Sequence, residues 1–93
     1  MNTYERGETV IVTSSITNSD GDAADPATSI KVTVTDRAGT AQVDGVAMTK
    51  DETGEYHYDV ATASGWEKGL YTVNVVAVGA SRTTIERGYF MLI

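Results

Sequence analysis

The sequence predicts an all-β protein, a two-sheet sandwich of about seven or eight antiparallel strands. Three observations predict it. Apolar residues recur at every second position in four separate stretches, the pattern of a strand with one face on a core. Clusters of Gly, Asp, Asn and Ser separate those stretches at a spacing suited to a sandwich. No window carries an apolar helical period over the roughly ten residues a helix needs. The segment Ala63-Ser64-Gly65-Trp66-Glu67-Lys68 has room for one turn at most.

Taken in order, the chain opens with a short strand over residues 3–6. In residues 9–17, Val10, Val12, Ser14 and Ile16 share one face, and Thr13 and Thr17 the other. The loop Asn18-Ser19-Asp20-Gly21-Asp22 leads to Pro26, which keeps the chain extended before the next strand. Over residues 29–35, Ile30, Val32 and Val34 point inward, while Lys31, Thr33 and Thr35 point outward. Beyond Asp36-Arg37-Ala38-Gly39 come two short pieces, residues 41–43 and 46–49, divided by a turn at Asp44-Gly45. Asp51-Glu52-Thr53-Gly54 turns into a strand with Tyr56, Tyr58 and Val60 inward against Glu55, His57 and Asp59.

The next strand places Tyr71, Val73, Val75 and Ala77 inward, and Gly79-Ala80-Ser81 turns it into residues 82–93. There Ile85, Phe90 and Leu92 are core candidates, but their alternation breaks near Glu86-Arg87-Gly88. A β-bulge at Gly88, by adding one residue, restores the phase.

With 93 residues, the chain suits one domain over residues 1–93, with one modest core and no space for a second. A composition of 41% hydrophobic and 22% charged residues is that of a folded globular chain. Without cysteine, a disulfide scaffold and a thiolate site are excluded. A net charge of −6, with seven Lys and Arg scattered among thirteen Asp and Glu, opposes nucleic-acid binding. No apolar run reaches the roughly 18 residues of a spanning helix, so membrane insertion is not expected. If Met1 is the native start, nothing near it directs export, because the strand-like sequence begins without a signal-peptide core.

The segment Gly69-Leu70-Tyr71-Thr72-Val73 resembles the strand-F region of immunoglobulin-like domains. There a tyrosine two residues before a core position forms the tyrosine corner, and Val73 stands where antibodies have cysteine. With Tyr4-Glu5-Arg6-Gly7-Glu8-Thr9-Val10 and Thr53-Gly54-Glu55-Tyr56-His57-Tyr58, the chain resembles the cysteine-free modules of bacterial and archaeal surface proteins. It is also similar to the macroglobulin-like sandwich. Similar modules occur on adhesins, S-layer proteins, secreted enzymes and tailed-phage virion proteins as spacers, decorations or weak binding units. The resemblance implies an immunoglobulin-like sandwich acting as a non-enzymatic structural or interaction module. Its setting is then a virion (phage tail, capsid decoration or connector) or the cell surface, with other subunits or neighbouring domains as partners. A carbohydrate- or ligand-binding accessory module is the alternative. A fold hosts many functions, so the resemblance bears on fold more than on role.

Individual residues carry little chemistry. A hydrolytic triad needs a histidine, and His57, the single one, is predicted on an outer face. One His and no Cys exclude the common zinc ligand sets, and no cofactor is expected. Asp20, Asp22 and Asp25 in one loop form a weak calcium candidate that lacks the EF-hand spacing and a closing Glu. Turn chemistry alone accounts for that loop, and is the preferred reading. Trp66 either covers an open end of the core or stacks on a sugar or partner. Val76 and Val78 alternate out of phase with Val73 and Val75, and period two puts Tyr89, Met91 and Ile93 opposite Phe90 and Leu92. These outward residues are the interface candidates.

Overall fold

The computed structural model describes residues 2–79 and 82–93, so the Ala80-Ser81 part of the predicted turn and Met1 lie outside the described residues. Among the described residues there are eight strands and no helix: β1 (Asn2–Tyr4), β2 (Thr9–Ser15), β3 (Ser29–Thr35), β4 (Ala41–Ala47), β5 (Thr49–Glu52), β6 (Glu55–Ala61), β7 (Gly69–Val78) and β8 (Thr83–Leu92). They form a five-stranded sheet, β1-β8-β7-β3-β4, and a three-stranded sheet, β2-β6-β5.

The alternation dictates what fills the space between the sheets. β3 and β7 pair without interruption from Ser29↔Val78 to Thr35↔Thr72, bringing Ile30, Val32 and Val34 beside Ala77, Val75 and Val73. These six residues are buried, with Phe90 and Leu92 from β8. From the second sheet come Val10, Tyr56 and Val60, with Val12 and Tyr58 half-buried against the same cluster. Each wholly buried aliphatic side chain contributes about 1.5–3 kcal/mol relative to exposure, so this seam is the main source of stability.

Three features depart from the sequence-based expectation. β7 and β8 keep one register from Gly69↔Leu92 to Val78↔Thr83, with no bulge at Gly88. The phase therefore stays fixed: Thr84, Glu86 and Gly88 take the inner positions before Phe90 and Leu92. Ile85 is not in the core but on the outer face, 60% exposed. Ten successive pairs in one hairpin outweigh the preference of one isoleucine for burial.

Second, the strands are not all antiparallel. β1 pairs parallel to β8, Asn2↔Phe90 to Tyr4↔Leu92, and the chain then crosses to the other sheet. A tight turn closes that crossing, with Glu8 N–H donating to Glu5 O at 3.1 Å and Gly7 at φ 99°. Thr62 anchors it, accepting from Gly7 N–H at 3.0 Å and donating its hydroxyl to Glu8 O.

Third, the two pieces expected around Asp44-Gly45 are one strand, β4, with an irregular register. Three residues of β3 (Val32 to Val34) face four of β4 (Val43 to Val46), and a second shift falls between Val34↔Val43 and Thr35↔Ala41, so β4 carries one extra residue near Asp44-Gly45 and another at Gln42. Gly45 adopts φ 62° there, and its N–H donates to Thr33 Oγ1 at 3.1 Å.

Candidate functional site

Four of the interface candidates, Val76, Val78, Tyr89 and Met91, share the outer face of the five-stranded sheet; Ile93 follows the last residue of β8, and Trp66 lies apart from that face. Val76 lies opposite Ile85, Leu70 opposite Met91, Thr72 opposite Tyr89 and Val78 opposite Thr83. Ile85, Tyr89 and Ile93 are more than half exposed, and Leu70, Val76, Val78 and Met91 are half-buried. The face is divided in the middle, where Arg87 Nε donates to Asn74 Oδ1 at 2.8 Å. One apolar group, Val76, Val78 and Ile85, lies on one side of that polar pair, and Leu70, Tyr89, Met91 and Ile93 on the other. Ile85 and Leu70 are not among the candidates that the sequence supplies. Strict period two counted back from Phe90 puts Ile85 outward, and Leu70 shares phase with Val76.

A cleft of about 210 Å³ opens where β2, at the edge of the three-stranded sheet, faces the part of β8 that β1 does not cover. Tyr4, Val10, Val12, Val73, Val75 and Phe90 line it, together with Glu86 and Gly88 from β8. A side chain at Gly88 would meet open space. Ser14, buried on β2, donates its hydroxyl across the gap to Glu86 Oε1 at 3.2 Å. A second cleft, about 260 Å³, lies at the other end of the sandwich beside Asn18, Asp25 and Arg82.

Trp66 sits in a turn closed by its own N–H on Ala63 O at 3.0 Å. Its indole stacks on Tyr71 at 5.7 Å between ring centroids and is half-buried against the core cluster. This contact is that of a core cover. The Tyr71 hydroxyl donates to Glu67 O at 2.8 Å, and burial raises its pKa above the usual tyrosine value.

The three aspartates of the calcium candidate are used differently from one another. Asn18 Oδ1 accepts the N–H groups of Asp20 and Asp22, which is turn closure. Asp25 reaches the other sheet, where Lys50 Nζ lies 2.6 Å from Oδ2, and Gly54 N–H and Tyr56 Oη donate to Oδ1, each at 2.9 Å. Lys50 first, then those two donors, hold the Asp25 pKa down at about 2. Among the described residues no group of three or more His, Cys, Asp or Glu side chains is arranged to hold a metal ion.

His57 lies half-buried on β6 with Nδ1 2.6 Å from Asp51 Oδ1. Asp36, which in the sequence reads only as a turn residue, is buried and accepts from Ala38 N–H, Thr40 N–H and Gln42 Nε2. The Thr40 bond above all lowers its pKa. Compared with protein-family models, curated proteins and solved structures, the chain matches none. No helix among the described residues is long and apolar enough to cross a membrane.

Proposed function

We propose that this chain is a non-enzymatic, immunoglobulin-like structural or interaction module that docks on another subunit or a neighbouring domain of a virion or cell-surface assembly. The apolar outer face of β7 and β8 carries the reading. A sheet whose outer side meets only water alternates apolar with polar residues. Here Val76, Val78, Ile85, Leu70, Tyr89 and Met91 break that alternation on one face. A partner covering three such side chains, at about 1.5–3 kcal/mol each, offsets part of the entropy lost on docking.

The immunoglobulin-like part is supported by the strand order, by the parallel closure of β1 on β8, and by the Tyr71 hydroxyl on Glu67 O, the bond of a tyrosine corner. The sugar-binding alternative has less support, because Trp66 stacks on Tyr71. Mass measurement of the native particle or full-length protein tests the docking face. Met91→Lys and Val76→Lys should fold and fail to incorporate; incorporation equal to the parent's would remove this face as the interface.

A further inference from the structure

The unpaired part of β8 is a surface separate from the docking face, and its binding chemistry is independent of that face. β1 covers β8 only from Phe90 to Leu92. Among the described residues, nothing pairs with residues 83–88 on that side, so their backbone groups form an open edge. Beside this edge lies the open cleft of about 210 Å³, lined by both apolar and polar residues. Gly88 leaves the core short of a side chain at an inner position. Glu86, two residues earlier, puts a carboxylate into the same gap. Its hydrogen bond comes from Ser14, and among the described residues it forms no ion pair.

We propose that residues 83–88 of β8 are a strand-acceptor site for an extended segment of a basic partner protein, which adds parallel to β8 in line with β1. The segment carries Lys or Arg beside Glu86 and, two residues further on, a bulky apolar side chain beside Gly88. The direction follows from β1, whose parallel ladder the added strand extends. The pattern follows from period two, since in-register neighbours in a sheet point to the same face. Backbone hydrogen bonds supply affinity and the two inward side chains supply selectivity. Charge points to a partner other than a second copy: this chain carries −6, and copies repel one another.

The probe is the capped peptide Thr-Val-Thr-Lys-Thr-Leu-Thr, titrated into the whole chain and followed by backbone amide resonances. Shifts should concentrate at residues 83–88. Affinity should fall at least about tenfold when the peptide lysine becomes glutamate, when Glu86→Gln removes the charge, or when Gly88→Val fills the cleft. The outer-face variants Val76→Lys and Met91→Lys should bind the peptide as the parent does. No binding at about millimolar peptide, shifts elsewhere, or equal affinity for the glutamate peptide would each overturn the proposal. So would sedimentation showing self-association that Gly88→Val abolishes while the peptide fails to bind, which assigns the edge to a second copy.

Discussion

The ring of Tyr71 lies flat on Phe90, with centroids 5.2 Å apart and 6° between the planes. Trp66 stacks on the same tyrosine, and Tyr4 meets Phe90 edge-on at 6.1 Å, so four aromatic rings close one end of the sandwich. Tyr71→Phe keeps the stack and loses the bond to Glu67 O, at a cost of about 1 kcal/mol. Tyr71→Ala removes the stack and should cost about 3–5 kcal/mol. Urea unfolding of the two variants separates these contributions. Equal losses would mean that the hydroxyl, not the ring, holds this end.

The inner faces of β2, β3, β6 and β7 are readable in the sequence because period two leaves few choices where one side is buried. Tyr71 and Val73 fall in phase with the core, and both are buried. β8 misleads for a physical reason. Its inner face carries Glu86 and Gly88, so the burial preference of Ile85 points to the wrong phase, and the unbroken pairing with β7 sets the right one. The same limit hides Asp25, whose partners Lys50, Gly54 and Tyr56 lie at least 25 residues away. Of the docking candidates, Val76, Val78, Tyr89, Met91 and Ile93 are legible as outward residues. Their grouping with Leu70 and Ile85 needs the β7 to β8 register.

Acid should destabilise the fold partly through Asp25. Its folded pKa is about 2, below the usual value of 3.8. The contribution is therefore complete above about pH 4 and is lost as pH falls through about 2. Asp36 is shifted in the same direction by its Thr40 bond. Asp25→Asn should be less stable than the parent at pH 7, with the gap narrowing toward pH 2 in thermal melts. A gap unchanged over that range would show that the charge of Asp25 is not what matters.

Calcium should leave the melting temperature unchanged. A ligand that binds only the folded state raises stability by mass action. Yet Asp25 already meets Lys50, Gly54 N–H and Tyr56 Oη. Calorimetric melts with millimolar calcium and with chelator should superimpose. A calcium-dependent rise abolished by Asp22→Ala would instead mean that the loop rearranges around the metal.

The bond from Ser14 to Glu86 crosses between the sheets, and it provides a test of the β8 register. Ser14 is only 2% exposed, so a hydroxyl left there without an acceptor costs about 1–3 kcal/mol. Glu86→Leu alone incurs that cost, partly offset by the apolar side chain it sends into the cleft. Ser14→Ala alone removes the hydrogen bond that Glu86 receives between the sheets. Replacing both partners leaves neither group unpaired, so the double variant should be close to the parent in stability. The two single losses should therefore exceed the loss in the double variant, with a coupling of about 0.5–3 kcal/mol in a denaturation cycle. Ile85→Asp, on the outer face, should change stability by about 0.5 kcal/mol or less. Additive Ser14 and Glu86 effects together with a large loss in Ile85→Asp would reverse the assignment, placing Ile85 inside and Glu86 in solvent.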